Sequence, residues 1–278
     1  MSDGDHVARP PHQARPTMTE GVPVYAEERQ QAMAQAITQQ GRVSVAELAE
    51  EFSVTTETVR RDLSALERIG LIRRVHGGAV PASSLAVIES GLTERDLANT
   101  TAKDLIAAAA VALLPPPGSI VVIDAGSTTA RLAALLPRDH RLTVVTHAVP
   151  VAARLAGLPQ IDLFLLPGKV RPTTQAAVGA DTVAALGDLR ADVSFVATNG
   201  LSIGHGLTTP DREEAATKRA IVAAGRRTVV LADSTKIGVE SSLRFAAVSD
   251  IDVLVTDSAI KPDDQKALDA AGVEVVIA

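Results

Sequence analysis

The sequence predicts an α/β protein in two unlike parts: a small, mostly helical N-terminal domain closed by two short strands, and a larger open α/β domain. Three observations carry that expectation. Residues 43–80 hold two short amphipathic helices, a tight polar turn between them, and two β-prone segments around a Gly-Gly pair. Later in the chain, continuous apolar runs alternate with helical patterns. Finally, the 278 residues are 46% hydrophobic but only 2% aromatic, with no Trp, so the cores must be built from Ala, Val, Leu and Ile.

In the N-terminal part, Val45, Leu48, Ala49 and Phe52 fall on one helical stripe and Glu47, Glu50 and Glu51 on the other side. Ser44 is placed to cap this helix, with Glu47 as its capping-box partner. After the turn Ser53-Val54-Thr55, a second helix is expected to start near Thr56 and to bury Val59, Leu63, Leu66 and Ile69. Its other face carries Thr56, Glu57, Thr58, Arg60 and Arg61, and Arg73, Arg74 and His76 surround the Gly77-Gly78 turn. This is the outline of a winged helix-turn-helix. In that motif the start of the second helix enters the major groove, where Thr and Arg side chains suit base edges, while the wing follows phosphates. A small helical domain with a solvated charged face is the competing reading. The local excess of Arg60, Arg61, Arg68, Arg73 and Arg74 over Asp62 and Glu67 favours double-stranded DNA. The candidate DNA-binding residues are therefore Thr56, Glu57, Thr58, Arg60, Arg61, Arg73, Arg74, His76 and Gly77.

Composition narrows the function classes. The absence of Cys removes disulfides, thiolate metal sites and Cys nucleophiles. A net charge of −6 means that any DNA contact comes from a local basic face. The longest apolar run, Leu105 to Leu114, is too short to span a bilayer. Residues 1–24 are polar and Pro-rich without the apolar centre of a signal peptide, so a disordered tail and a cytoplasmic protein are expected. Met18 lies just ahead of the structured pattern, and Met1 to Thr17 are either tail or a misassigned translation start.

The expected domains are 25–80 for the winged helix-turn-helix, 81–93 for a linker and 94–278 for the α/β domain. That domain opens with a long helix over Glu94–Leu114, stopped by Pro115-Pro116-Pro117-Gly118. Strands are expected at Ile120–Ile123, Leu142–Val145, Ile161–Leu166, Val193–Ala197, Thr228–Leu231, Val253–Val255 and Val273–Ile277. Their unbroken apolar character predicts burial on both faces of a largely parallel sheet. Helices fit at Ala130–Leu136, Val149–Ala156, Glu213–Ala224 and Pro262–Ala271.

Ligands of such sheets bind beyond the carboxyl ends of the strands. After the first strand comes Asp124-Ala-Gly-Ser-Thr-Thr129, leading into a helix, where Gly allows close approach and the helix N-terminus favours an anion such as phosphate. A bare helix cap is the alternative for this motif alone. Other strand ends add Lys169 and Arg171, Asn199 and Gly200, and Asp233 and Lys236, while the loop from Gly204 to Asp211 feeds a helix carrying Glu214 and Lys218. The candidate effector-binding residues are Asp124, Gly126, Ser127, Thr128, Thr129, Lys169, Arg171, Asn199, Gly200, Asp211, Glu214, Lys218, Asp233 and Lys236. No metal site and no cofactor is expected.

The run Tyr25-Ala-Glu-Glu-Arg-Gln30, the segment Val54-Thr-Thr-Glu-Thr-Val-Arg-Arg-Asp-Leu63 and the closing Arg74-Val-His-Gly-Gly-Ala79 together resemble the DNA-binding half of DeoR-family sugar-metabolism regulators. The remainder is similar to the family's sensor domain, which implies an open α/β fold of the ribose-5-phosphate isomerase-like type. By that resemblance Asp124–Thr129 corresponds to the phosphate loop and Asp233–Lys236 to an Asp-Ser-Ser-Lys-like motif. Thr198-Asn-Gly-Leu201 and His205–Asp211 look most like fructose-operon and sugar-uptake repressors. Two loops depart from the family pattern: Pro167-Gly168 replaces Gly-Gly, and Thr146-His147 replaces Thr-Asn.

The resemblance implies a homodimeric or homotetrameric repressor that binds operator DNA and leaves it when a phosphorylated sugar, such as a fructose phosphate, binds. Two alternatives stay open at this point: an activator, and a sugar-phosphate isomerase using Asp124, Glu214 or Lys236 as acid–base groups, the same scaffold hosting both kinds of protein.

Overall fold

The computed structural model describes residues 26–40, 43–75, 77–81 and 91–278. The expected tail, His76 and most of the expected linker lie outside these residues, and of Arg73 only the backbone is described. The chain divides into two compact units, Met1–Ser83 and Ser84–Ala278.

The smaller unit runs α1 (Ala26–Gln40), β1 (Val43–Ser44), α2 (Val45–Glu51), α3 (Thr56–Arg68), β2 (Ile72–Val75) and β3 (Gly78–Pro81). Its strands form an antiparallel sheet of order β1-β3-β2. Ser44 and Glu47 make the expected capping box, and Thr55 caps α3 by accepting from the Thr58 N–H. Met33, Ile37, Leu48, Val59, Leu63, Leu66 and Ile72 pack into one core. Ile69, expected on that buried stripe, is 66% exposed, because α3 ends at Arg68 and Ile69 is its C-cap, where the chain leaves the helix. Buried Asp62 ties α1 to α3, accepting from Arg29 Nε at 2.7 Å and Gln30 Nε2 at 2.8 Å.

Gly78 is required by space. A Cβ there would lie 2.2 Å from the Val43 carbonyl oxygen, in the strand it pairs with. Gly78→Ala should therefore push β1 from β3 and cost about 1–3 kcal/mol as an overpacking strain. A melting curve reads this directly, and an unchanged midpoint would show that the wing relaxes freely.

The larger unit opens with α4 (Leu92–Leu97) and α5 (Thr100–Val111). The single helix expected over Glu94–Leu114 is thus broken at Ala98–Asn99, where Asn99 takes a left-handed conformation with φ 52°, one that Asn tolerates better than most residues. There follow β4 (Ile120–Ile123), α6 (Ser127–Ala134), β5 (Leu142–Thr146), α7 (Val149–Leu155), β6 (Ile161–Leu165), β7 (Lys169–Arg171), β8 (Ala176–Val178), α8 (Ala180–Gly187) and β9 (Val193–Val196). The chain continues through β10 (Gly200–Ser202), β11 (Gly206–Thr209), α9 (Arg212–Ala224), β12 (Thr228–Leu231), β13 (Leu243–Ala246), β14 (Val253–Thr256), α10 (Pro262–Ala270) and β15 (Glu274–Ile277).

Seven of these strands make one sheet of order β15-β14-β12-β9-β4-β5-β6, every pairing parallel. Alternation along each strand builds the two faces. Val121 and Ile123 share a core with Ile106, Leu132 and Leu155, while Val122 and Val230 pack with Ala215, Ile221 and Leu268 on the other side. The two outermost strands depart from the expected double burial: Phe164 and Leu165 on β6 are more than half exposed, as is usual for an edge. Small antiparallel sheets, β10-β11-β13 and β7-β8, lie outside the apolar-run pattern. Among the described residues no helix is long and apolar enough to cross a membrane.

Candidate functional site

The exposed start of α3 presents Thr56, Glu57, Arg60 and Arg61, with Thr58 half-buried beside its cap. Glu57 lies 3.7 Å from Arg60 and 3.8 Å from Arg61. Such exposed pairs are worth little, so both guanidiniums are available to a partner. Arg74 on β2 ties the wing to this helix: its Nη1 donates to Ser64 Oγ at 2.9 Å, and its N–H donates to Glu67 at 2.8 Å. Gly77 sits at the wing turn with φ 71°.

In the larger unit, successive connections leave β4 toward β5 and β6, then return to β9, β12, β14 and β15. The order therefore reverses between β4 and β9, and a crevice opens where such sheets bind ligands. A cleft with a cavity volume of about 70 Å³ lies there. Gly126, Ser127 and Thr128 at the start of α6 form one wall, Ala197–Asn199 after β9 the next, and Ala232, Asp233 and Lys236 after β12 a third. Arg95, Ala98, Asn99 and Lys103 close it from α4 and α5.

Gly126 is dictated by proximity, since a Cβ would come within 2.7 Å of the Ala197 methyl. The first N–H groups of α6 have no partner within the helix and favour negative charge. Lys103 is buried, donating to the carbonyls of Arg95 and Ala98, and Arg95 Nε is buried without a hydrogen-bond partner. Burial pushes the Lys103 ammonium down; Asp233 opposes this, while Lys236 and Arg131 add to it. Asp233 accepts from Asn99 Nδ2 at 3.1 Å and caps the short helical turn Ser234–Lys236. The cleft thus gathers three cations, a helix N-terminus and one carboxylate, a set suited to an oxyanion joined to a hydroxylated body.

Six of the residues expected from sequence line this cleft: Gly126, Ser127, Thr128, Asn199, Asp233 and Lys236. Four others lie packed behind its lining. Asp124 is fully buried; it pairs with Lys218, accepts from Ala197 N–H at 2.9 Å, and lies 2.9 Å from His147 Nε2. Burial alone would raise this carboxyl, but the Lys218 charge and the His147 contact outweigh it and hold the group at about 2. Thr129 Oγ1 donates back to the Gly126 carbonyl at 3.0 Å, and Gly200 lies in β10 against the Val239 backbone. The rest do not line the cleft. Arg171 donates to Glu214 at 2.6 Å and lies 3.3 Å from Asp211, and Lys169 is exposed on β7. The reason is α9: it packs on the sheet, and the turn from Glu214 to Lys218 carries both side chains inward under the strand ends.

His147, one of the two departures in loop sequence, is wholly buried; its Nδ1 donates to the Ala177 carbonyl at 2.7 Å. Sequence reasoning missed Arg95, Asn99 and Lys103. One signal for Lys103 was present. It falls on the same helical stripe as Ile106, Ala107 and Ala110, and a cation on a buried stripe needs a partner.

A winged helix-turn-helix joined to an open α/β unit with an anion-suited cleft defines a ligand-responsive transcriptional regulator. Residues 29–84 match the DeoR-like helix-turn-helix domain and residues 98–258 the DeoR C terminal sensor domain. The HTH-type transcriptional regulator GlpR of Haloferax volcanii is 34% identical over 249 residues, covering 90% of this chain and 96% of that protein. The glycerol-3-phosphate regulon repressor of Escherichia coli is 32% identical over 232 residues, covering 83% and 90%. Among solved structures, ribose 5-phosphate isomerase A of Methanocaldococcus jannaschii aligns with a TM-score of 0.38 and 16% identity, over 50% of this chain and 55% of that one. The chain belongs to the DeoR family of transcriptional regulators.

Proposed function

We propose that the protein is a cytoplasmic repressor of sugar-uptake or catabolism genes, which binds its operator as a homodimer or homotetramer and is released by a phosphorylated sugar such as a fructose phosphate. The winged helix-turn-helix, 25–80, carries the operator contacts through Thr56, Glu57, Thr58, Arg60, Arg61, Arg73, Arg74, His76 and Gly77. A linker, 81–93, joins it to the effector domain, 94–278. The observation that carries the effector reading is the buried, unpartnered Arg95 Nε beside Lys103 at the helix N-terminus. The name of the glycerol-3-phosphate regulon repressor supports a phosphorylated polyol as the ligand class. Two recognition helices on one duplex face require an oligomer, which light scattering of the purified protein reads out.

Calorimetry of the full chain with fructose, fructose 1-phosphate and fructose 6-phosphate tests the effector class. Binding of a phosphate ester and none of the free sugar is expected; equal affinities would remove the phosphate site. On the DNA side, Arg61→Ala should relax sequence preference at the cost of a base contact, about 1–3 kcal/mol. Arg74→Ala should weaken selected and scrambled duplexes alike, because its side chain belongs to the wing. Titration of both variants at fixed salt separates the two, and equal loss on both duplexes for Arg61→Ala would count against base reading.

A further inference from the structure

Helix α4 is held in place by charge and hydrogen bonds instead of burial. None of its six residues is buried, and no side chain caps its start. A helix of this length has no stability of its own. Three contacts fix it. Arg131 of α6 pairs with the Asp96 carboxylate, donates to the Asp96 carbonyl at 3.0 Å, and reaches Asp104 on α5 at 2.7 Å. Lys103 donates to the carbonyls of Arg95 and Ala98, and the Leu92 N–H donates to Thr173 at 2.8 Å. Arg131 also donates to the Ser127 carbonyl at 3.1 Å, in the first turn of α6. The same α4 supplies Arg95 to the cleft, and in sequence it stands directly after the residues that lead from the winged helix.

We infer that α4 is the positioning element of the effector response: an oxyanion bound between the α6 N-terminus and Lys103 fixes α4, and its ordering is passed to the chain before it. The inference rests on the reading of the cleft as the effector's anion site. An ammonium has three N–H groups, and Lys103 directs bonds to two carbonyls at the end of α4. An anion takes the third and also meets Arg95 Nε. Both cations belong to α4 or hold it, so the anion binds the ordered helix better than the frayed one, and only such a difference shifts an equilibrium. Asp96 and Arg131 act at second hand, by keeping α4 where its cation meets the ligand.

Hydrogen exchange of the full-length protein, with saturating inorganic phosphate against chloride at equal ionic strength, tests this. Amides of residues 92–99 should exchange roughly tenfold more slowly with phosphate, and the slowing should extend into the peptide that precedes them. Asp96→Asn and Arg131→Met should still bind phosphate in calorimetry, with unchanged melting of the sheet, yet lose most of that slowing. Phosphate binding with unchanged exchange at 92–99 overturns the inference and leaves the effector site standing. Absence of phosphate binding overturns both. Full slowing in folded Asp96→Asn and Arg131→Met would show that the Arg131 clasp has no part in it.

Discussion

Lys218→Met is expected to destabilise the sensor domain by about 3–5 kcal/mol, the usual cost of removing one partner from a buried ion pair. Lys218 is 1% exposed, and beneath the strand ends it faces Asp124 and, at 4.0 Å, Glu214. Methionine fills a similar volume, so the loss isolates the charge. Asp124 would keep only the Ala197 N–H and His147 beside it in a medium of low polarity, while Glu214 retains Arg171. The same pair has an acid signature. The Asp124 carboxyl is depressed in the folded protein, from 3.8 to about 2, so its contribution is fully present above pH 3.8 and is lost as pH falls toward 2. Denaturant titrations of both proteins at neutral pH and across that acid window measure the two effects together. A loss below about 1 kcal/mol at neutral pH would mean that water or a neighbouring cation replaces Lys218.

Lys236→Ala should yield a repressor that holds its operator and no longer releases it at the effector concentration that frees the wild type. Lys236 ends the short turn capped by Asp233 and reaches the cleft from the β12 end, while the helix-turn-helix domain lies in the other unit. Losing one charge-assisted contact to a phosphoryl group weakens effector binding by about 1.5–3 kcal/mol, tenfold to somewhat over a hundredfold. Arg95 and Lys103 remain, which keeps the loss finite. Gel-shift titrations with and without the sugar phosphate, beside a melting curve, are the measurement. Release at the wild-type effector concentration, or loss of DNA binding in a folded variant, would take Lys236 out of the effector contacts.

Much of this fold is legible locally. The capping box Ser44–Glu47, the Thr55 cap and the stripe Val59, Leu63 and Leu66 each depend on residues within a turn or two of one another, so the winged helix can be read directly from the chain. The parallel strands are equally plain, because burial on both faces demands the uninterrupted apolar runs of β4, β9, β12 and β14. The Gly126–Thr128 turn also falls where the fold class places a ligand.

What the linear pattern could not settle is which polar residues face solvent in the cleft and which are spent inside. Asp124 and Lys218 are 94 positions apart and pair only because α9 packs across the sheet. Burial of a charge is a property of both partners and of the helix between them, so neither residue announces it alone. Likewise, the break at Asn99 follows from a left-handed backbone and from Lys103 capturing the carbonyls of α4. The sequence by itself determined the two domains' character and the loop that begins α6. Tertiary packing decided that Asp124 and Lys218 lie behind the cleft and that Arg95 and Lys103 line it, because charges are sorted by partners distant in the chain, whereas helices and strands are set by neighbours.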